Sequence, residues 1–263
     1  MGEWALILGA SSGFGRATAL EFSRNGVNVI GIHLDRKAAL KEVEKLVESI
    51  KSNGVEAWYF NVNAAEEKVI KKVLDEVKSR FEKRKEGDWI KVIMHSLAFG
   101  ALKKFVSEDE EEMITKKQLE MTMDVMANTL VYWTQAAFKR GLIKRGSKIF
   151  AMTSSGDQRV MPYYGAVSAA KAALESHIRQ LALELAPYGI TCNAIKAGVT
   201  DTPALRKIPG HEKIIKYALE RNPSGRMTTP EDVAKAIVAL SDERLYWMTG
   251  NVINVDGGED ITA

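Results

Sequence analysis

The stretch LILGASSGFGRAT, residues 6–18, decides the fold class. It passes from an apolar run into a helical pattern through a turn that contains Gly9, Gly13 and Gly15. Small residues at such a turn let the backbone approach a pyrophosphate, and the helix N-terminus that follows offers free N–H groups and a positive dipole end. We therefore predict a phosphate cradle, while a glycine-rich turn without a ligand is the weaker interpretation. The cradle would consist of Gly9, Ser11, Ser12, Gly13, Phe14 and Gly15.

Short apolar runs alternate with amphipathic segments along the rest of the chain. The apolar runs predict strands at 5–8, 28–32, 56–60, 92–96, 148–153, 191–197 and 252–255. The segments between them predict helices at 15–25, 36–52, 66–84, 118–140, 165–186, 212–220 and 230–240. Strands that alternate with helices need crossover connections, which favour a parallel sheet covered on both faces. No repeat or linker divides the chain, so we predict one doubly wound α/β domain of the Rossmann type over residues 1–263, with about seven parallel strands and helices on both faces.

Composition excludes several classes of protein. A net charge of +3 on 263 residues is too small to indicate nucleic-acid binding. The single cysteine, Cys192, cannot form an internal disulfide, and the four scattered histidines lack the spacing of metal ligands. No apolar run approaches the ~20 residues that cross a bilayer, and no basic leader or cleavage site precedes Trp4. We expect a soluble cytoplasmic protein without a metal ion, a membrane partner or a nucleic-acid partner.

Several short motifs follow one another along the chain, each at or near the end of a predicted strand. After the G-x-x-x-G-x-G cradle, HSLA at 95–98 ends the fourth strand, AGVTDT at 197–202 ends the sixth, and TGNVINVDGG at 249–258 includes the last. In this combination the chain resembles the short-chain dehydrogenase/reductase family over nearly its whole length. The resemblance implies a nicotinamide cofactor, and a homotetramer built through the helices at 118–140 and 165–186. It also implies cofactor contacts from Asn61, Val62, Ser96, Leu97, Ala98, Gly198, Thr200 and Thr202.

The end of the second strand bears on which nicotinamide cofactor binds. Asp35 stands there, and a carboxylate at this place accepts hydrogen bonds from the adenosine ribose hydroxyls and repels a 2′-phosphate. Arg36 follows at once and could instead bind a 2′-phosphate or stack on adenine. Ser12 occupies a position where phosphate-preferring relatives often carry a basic residue. NADH is therefore favoured, with NADPH as the open alternative, and Asn61 takes the place of the family's adenine-binding aspartate.

The segment PYYGAVSAAK, residues 162–171, carries the candidate catalytic pair. Ordinary members of the family that this chain resembles have a tyrosine four residues before the lysine, and that position is Val167 here. Tyr164 lies seven residues before Lys171, which at 3.6 residues per turn puts the two side chains within ~20° of one helix face. Tyr163, one residue earlier, is ~80° away from that face. We predict that Tyr164 and Lys171 act together, the alternative being a helix-start aromatic and an unrelated lysine.

The seven-residue spacing resembles that of the enoyl-acyl carrier protein reductases of this family, as does HSLAF at 95–99. Met126 takes the place of an asparagine that carbonyl reductases use and enoyl reductases commonly lack. Asn128 is two residues off and would face elsewhere on a helix. Ser154 departs from the pattern, because many of these enzymes have a second tyrosine there, although one branch, similar also in KAALE and PSGRM, has serine. We interpret Ser154 as a hydrogen-bond partner and not as a nucleophile, since no histidine base is paired with it.

The resemblance implies reduction of the 2,3 double bond of a trans-2-enoyl thioester carried by acyl carrier protein or coenzyme A. Tyr164 would donate a hydrogen bond to the enolate oxygen, and Lys171 would hold the nicotinamide ribose. The amphipathic segment 203–220 is predicted to be a lid over an acyl pocket, or alternatively a surface helix with a core stripe. Substrate contacts are predicted for Phe99, Tyr163, Tyr164, Leu205, Ile208, Ile215 and Tyr217. An acidic carrier protein and a solvated basic face are both compatible with four basic residues of the lid, Arg206, Lys207, Lys213 and Lys216.

Two rival functions stay open. A short-chain carbonyl reductase or alcohol dehydrogenase with a displaced tyrosine is favoured by Ser154 and opposed by Val167 and Met126. A sensor that binds NAD(P) and catalyses nothing is opposed by the pair of Tyr164 and Lys171 alone.

Overall fold

The computed structural model describes residues 2–84 and 86–262, and within these ranges seven strands form one sheet. All neighbouring strands are parallel, in the order β3-β2-β1-β4-β5-β6-β7. The strands are β1 Glu3–Leu8, β2 Asn28–His33, β3 Ala57–Asn61, β4 Trp89–His95, β5 Lys148–Thr153, β6 Thr191–Ala197 and β7 Val252–Val255. The helices are α1 Gly13–Arg24, α2 Leu40–Lys51, α3 Glu67–Arg84, α4 Lys116–Met123, α5 Thr129–Lys139, α6 Gly165–Leu185, α7 His211–Arg221 and α8 Pro230–Leu240. The predicted fold class is confirmed.

The central strand β1 shows why the sheet is covered on both faces. Trp4, Leu6 and Leu8 pack in a cluster with α3, α5 and α6, whereas Ala5 and Ile7 pack with α1, α2 and α8. All five side chains are fully buried. Successive side chains of a strand point to opposite faces, so residues 4–8 of β1, which lie between two helical layers, are apolar on both faces. Each large side chain buried in this way contributes roughly 1.5–3 kcal/mol to folding.

The order of the strands reverses between β1 and β4. The chain builds β2 and β3 on one side of β1 and then crosses to build β4 on the other side. The Ser96 N–H donates to the Leu8 carbonyl at 2.9 Å, and the Gly9 N–H donates to the Ile32 carbonyl at 2.8 Å. These bonds hold the ends of β4, β1 and β2 side by side. In doubly wound sheets the crevice at such a reversal, outside the carboxyl ends of the strands, is where ligands bind.

The helix predicted over 118–140 is divided in the structure. A wide π turn, Asp124–Asn128, separates α4 from α5. The hydroxyl of Thr129 donates to the Val125 carbonyl at 2.8 Å and lies 2.8 Å from Nε2 of His95 on β4. This contact between the helix and the sheet holds the wider turn in place, and such turns are frequent at functional sites.

Two other segments differ in detail from regular helix and loop. The helix predicted at 36–52 begins with a 3₁₀ turn, Lys37–Ala39, before α2. The loop before α4 is ordered by a parallel bridge between Lys104 and Met113.

None of the described helices combines the length and the apolar character needed to span a bilayer.

Candidate active site

The turn between β1 and α1 is built from glycines whose conformation or spacing excludes a side chain. Gly9 has φ +88° and Gly13 has φ +51°, in the left-handed region that other residues rarely adopt. A Cβ on Gly15 would collide with the Gly9 carbonyl, and a Cβ on Gly9 would lie 2.6 Å from the Ser96 oxygen. Ser12 precedes α1 without a side-chain cap bond, so it leaves the first N–H groups of the helix to a ligand. This cradle fits a pyrophosphate.

Two further segments meet the cradle at the same edge of the sheet. The Leu97 side chain lies 3.5 Å from where a Cβ on Gly9 would be, and the Thr202 methyl group lies 3.6 Å from the same point on Gly13. Thr200 is buried, and its hydroxyl donates to the Gly198 carbonyl at 3.0 Å. The remaining predicted cofactor residues of these turns and of the end of β3 are Ser11, Phe14, Val62, Ser96 and Ala98. The residues present fit a dinucleotide, while each individual contact stays a prediction.

Asp35 is held at the end of β2 from two directions. Its carboxylate lies 2.9 Å from Nδ1 of His33, a buried residue of β2. Its backbone N–H donates to the amide oxygen of Asn61 at 2.9 Å, and the Asn61 amide N–H donates back to the Asp35 carbonyl at 3.0 Å. The position of the Asp35 carboxylate is therefore fixed. Asn61 supports Asp35 in this structure, so its predicted contact with adenine stays a prediction, and Arg36 is exposed beside it.

Tyr164 is the residue that precedes α6, and its side chain is almost fully buried. Its hydroxyl lies 3.5 Å from the hydroxyl of Ser154, which follows β5. Burial raises the pKa of Tyr164 above its ordinary value, so the phenol stays protonated at neutral pH and can donate a hydrogen bond. Tyr163 has a left-handed backbone, φ +65°, and its ring faces the Lys104 ammonium at 5.8 Å. The structure brings Ser154 to Tyr164 and turns Tyr163 toward the loop before α4.

Lys171 lies two turns into α6 and is buried. Its ammonium donates to the Met152 carbonyl of β5 at 2.6 Å. Burial lowers the pKa of Lys171 to about 8, and the negative charge of Glu175 opposes this change. Glu175 is itself buried and accepts a hydrogen bond from the Thr153 hydroxyl at 2.7 Å. Burial raises the pKa of Glu175, and the neighbouring Asp157 adds to the effect.

Lys196 of β6 completes a buried group of charges behind the catalytic candidates. Its ammonium lies 3.5 Å from the carboxylate of Asp157, and their side chains are only 6% and 5% exposed. Sequence reasoning did not find this group. Glu175 gives one local signal, because it lies four residues after Lys171 and shares its helix face. Asp157 and Lys196 give none, because packing of a turn against β6 brings them together.

We expect Glu175→Gln to move the alkaline limit of cofactor binding to lower pH. The Glu175 carboxylate raises the pKa of Lys171, so its removal leaves the effect of burial unopposed and lowers that pKa below about 8. As pH rises, the protonated lysine is then lost roughly one pH unit earlier. The dissociation constant of NADH, followed from neutral to alkaline pH, measures the shift. Glu184→Gln, on the exposed side of the same helix, is the control, and coincident curves for E175Q and the parent would contradict the prediction.

The π turn contains a buried apolar residue, and two histidines pack beside the turn. Met126 is buried, and its sulfur lies 2.8 Å from where a Cβ on Gly100 would be. The amide oxygen of Asn128 lies 3.1 Å from Nε2 of His177 on α6, so this asparagine has a partner of its own. His95 is buried below the turn, and burial together with the charge of Lys171 lowers its pKa to about 3. The imidazole is therefore neutral and does not compete with Lys171 as a cation.

The predicted acyl-pocket residues separate into two groups. Leu205 is buried, and Ile208 packs against the core cluster of α3, α5 and α6. Ile215 is partly buried in α7. Tyr217 is 65% exposed and Phe99 is 62% exposed, so the structure leaves both at the surface and does not bring them to the other three. Ala218 is the buried residue of α7, which identifies the inner face of that helix.

The basic residues of segment 203–220, which is predicted to be a lid, are less available to a partner than the sequence suggests. Arg206 makes a bidentate ion pair with Asp201 at 2.7 and 2.8 Å. Lys216 lies 3.9 Å from Glu220, one turn along α7. These partners reduce the positive potential that an acidic carrier protein would meet, which favours the interpretation as a solvated charged face.

A doubly wound sheet with a glycine cradle at its reversal point, and with a buried tyrosine and lysine nearby, is the arrangement of an oxidoreductase that uses a nicotinamide cofactor. Residues 9–259 match the family model described as Enoyl-(Acyl carrier protein) reductase. The chain therefore belongs to the short-chain dehydrogenase/reductase family, is similar to its enoyl-acyl carrier protein reductases, and is an NAD(P)H-dependent oxidoreductase.

Relatives with different reactions match almost the whole chain. The 1-cyclohexenylcarbonyl-CoA reductase of Streptomyces collinus is 29% identical over 261 residues, 98% of this chain and 87% of that protein. The 3-oxoacyl-[acyl-carrier-protein] reductase of Pseudomonas aeruginosa is 29% identical over 258 residues, 98% of this chain and 97% of that protein. The crystal structure of enoyl-[acyl-carrier-protein] reductase (NADH) from Aquifex aeolicus superposes with a TM-score of 0.83 at 26% identity, covering 100% and 98% of the two chains.

Proposed function

We propose that the chain reduces the 2,3 double bond of a trans-2-enoyl thioester with hydride from NADH. One observation carries the proposal: the residue four positions before Lys171 is the buried Val167, and the phenol beside Ser154 belongs to Tyr164. The tyrosine position of the carbonyl-reducing members of the family is thus part of the hydrophobic core. The seven-residue spacing that resembles the enoyl reductases is present instead. The buried Met126, in place of an asparagine, supports the same reaction.

The residues of the site divide the chemistry among them. When bound, the dihydronicotinamide supplies a hydride to the β-carbon of the substrate. Negative charge then gathers on the thioester oxygen, so catalysis needs a donor aimed at that oxygen. Tyr164 would donate this hydrogen bond, and the Ser154 hydroxyl, 3.5 Å away, would orient the phenol. Lys171 would bind the ribose hydroxyls of the cofactor and keep the local potential positive. The α-carbon would take its proton from Tyr164 or from water.

A comparison of substrates tests the proposal. Oxidation of NADH and NADPH would be followed with crotonyl and acetoacetyl thioesters, each on coenzyme A and on acyl carrier protein, and with a simple ketone. We expect the crotonyl thioester to be reduced and the acetoacetyl thioester and ketone to react slowly. Faster reduction of the acetoacetyl thioester would make the chain a carbonyl reductase. Inertness with every substrate, despite cofactor binding, would make it a non-catalytic NAD(P)-binding protein.

The contact between Ser154 and Tyr164 favours carbonyl reduction as the second candidate function. In that reaction the two hydroxyls would both donate to a ketone oxygen, and the 3-oxoacyl-[acyl-carrier-protein] reductase relative has a name that describes such chemistry. The Streptomyces collinus relative, named for a cyclohexenylcarbonyl thioester of coenzyme A, supports the first candidate and coenzyme A as a carrier.

Asp35→Ala is expected to reduce the preference for NADH over NADPH by roughly 10- to 100-fold, the value of hydrogen bonds to a charged group. The Asp35 carboxylate, held by His33, would bind the ribose hydroxyls and repel a 2′-phosphate. The ratio of kcat/KM for the two cofactors measures the change. Arg36→Ala is the matched control, because it should weaken NADPH use and spare NADH. A parent enzyme that already prefers NADPH would overturn the assignment of NADH.

The remaining features of the proposal concern assembly and surroundings. The chain would work as one domain over residues 1–263, with residues 203–220 as a lid whose inner face includes Leu205 and Ile208. A homotetramer would form through the helices near 118–140 and 165–186, which carry the exposed Tyr132 and Leu183. The site of action would be the cytoplasm, with a coenzyme A or acyl carrier protein thioester as substrate and with no membrane or nucleic-acid partner.

A further inference from the structure

Residues 256–262, which follow β7 and are called the strap below, form a fixed turn next to the active site. Gly257 and Gly258 have φ of +64° and +88°, so the chain reverses sharply there. The Asp256 carboxylate closes the turn, because it accepts hydrogen bonds from the Gly258 N–H at 2.9 Å and from the Asp260 N–H at 3.0 Å. The strap therefore presents its side chains from a defined backbone.

The first contact of the strap is with the loop that follows β6. The N–H of Val199 donates to the carboxylate of Glu259 at 3.0 Å, and Glu259 is 7% exposed. The same carboxylate oxygen would lie 3.0 Å from a Cβ on Gly198. The carboxylate is thus packed against the backbone between two residues that are predicted to bind the cofactor, Gly198 and Thr200.

The second contact is with the loop that carries the catalytic candidates. Asp260 pairs with Arg159 at 2.8 Å, and the Arg159 guanidinium also donates to the Asp260 carbonyl at 3.4 Å. Arg159 lies between Ser154 and Tyr164, and its own N–H donates to the Ser155 carbonyl at 2.9 Å. The pair ties residues 155–163, called the tyrosine loop below, to the strap.

The third contact is with the end of α7, the helix of the lid. The Thr262 hydroxyl donates to the Arg221 carbonyl at 2.7 Å, and the Arg221 guanidinium donates to the Thr262 carbonyl. The Asn222 amide donates to the Asp256 carbonyl at 2.9 Å. One short segment is therefore bonded to the loop after β6, to the tyrosine loop and to the lid helix.

We propose that the strap couples the position of the lid to the positions of Tyr164 and of the loop after β6, residues 198–202, with Asp260 and Thr262 as positioning residues. The inference rests on the proposed function, because it takes its lid and its tyrosine loop from there. Asp260 and Arg159 form a partly exposed ion pair, 21% and 40% exposed, and such pairs contribute little to overall stability. The ion pair instead holds the tyrosine loop in position. This matters because a displacement of about 1 Å at reacting groups can lower the rate roughly 10²-fold.

The coupling predicts linked kinetic effects at the two ends of the strap. Asp260→Asn frees the tyrosine loop, so kcat should fall about 5- to 10-fold, and the KM for the thioester should rise by a smaller factor because the lid loses its alignment. Thr262→Val frees the end of α7, so the KM for the thioester should rise about 5- to 10-fold, and kcat should fall by a smaller factor. Arg159→Asp alone and Asp260→Arg alone should each lower kcat. The double variant, which exchanges the two charges, should restore much of that loss. Asp242→Asn is the control. Asp242 also forms an ion pair, with Arg244 at a distance of 2.7 Å, but this pair does not involve the strap.

Hydrogen–deuterium exchange of the NADH complex separates the coupling from the reaction itself. In Asp260→Asn, exchange should rise at residues 155–163 and also at 203–221, with which Asp260 forms no hydrogen bond or ion pair, and Asp242→Asn should change neither. Exchange that increases only at 155–163, or kinetics in which Asp260→Asn changes kcat alone and Thr262→Val changes KM alone, would overturn the coupling. If the parent reduces no enoyl thioester, the proposed function fails, and the exchange result still decides whether the strap links the two segments.

Discussion

Tyr164→Phe is expected to slow reduction of an enoyl thioester by roughly 10²- to 10³-fold, the usual effect of removing one donor from a developing oxyanion. The affinity for NADH should stay nearly intact, because phenylalanine keeps the buried ring and removes one hydroxyl. The raised pKa of Tyr164 keeps that hydroxyl protonated at neutral pH, so the parent enzyme has the donor that the variant lacks. Single-turnover rates at saturating cofactor, together with the dissociation constant of NADH, measure the two effects separately.

Two other tyrosines serve as comparisons for this experiment. Tyr188→Phe removes a hydroxyl from an exposed ring that packs edge-on against Phe138, so the rate should not change. Tyr163→Phe should lose far less activity than Tyr164→Phe, because the Tyr163 ring faces the Lys104 ammonium. Unchanged turnover in Tyr164→Phe would remove this residue from the mechanism, and a larger loss in Tyr163→Phe would transfer the role of donor to Tyr163.

The fold could be predicted because a parallel sheet covered on both faces needs strands with apolar runs, and such runs are visible in the sequence. Strands buried on both faces are largely apolar, and β1 is recognisable for that reason. Strands β5 and β6 are recognisable by their apolar runs, although they also carry buried polar residues such as Lys148 and Lys196. The division of the long helix before β5 could not be foreseen. Helical periodicity continues through residues 118–140, and the π turn lies next to a contact between Thr129 and His95, which are 34 residues apart.

The candidate site was predictable to the extent that its residues belong to short motifs. The spacing of Tyr164 and Lys171 depends on helix geometry alone, and the structure places both in buried positions. The pairing of Arg159 with Asp260 joins segments 101 residues apart, and nothing in either segment signals the other. Tyr217 was predicted to contact the substrate, but it is exposed. The periodicity of α7 did not show that Ala218, and not Tyr217, would be buried.

Lys171→Met is expected to weaken NADH binding by roughly 10- to 100-fold, the value of hydrogen bonds made by a charged donor, and to lower kcat/KM at least as much. Methionine keeps an unbranched apolar side chain at this buried position of α6 and removes the ammonium. The Met152 carbonyl then loses its 2.6 Å donor, and Glu175 loses the cation that faces it. Fluorescence titration with NADH and the steady-state rate with a crotonyl thioester measure the two losses.

Lys148→Met supplies a closely matched control for this loss. Lys148 is also buried, and burial lowers its pKa as well, but it begins β5 at the amino end of the sheet, away from the cradle. We expect K148M to alter stability and to bind NADH with the affinity of the parent. If K171M also kept that affinity and full turnover, the ammonium on α6 would have no contact with the ribose. The buried charges around it would then be a structural feature of the core, and hydride transfer would need a different cation beside the nicotinamide.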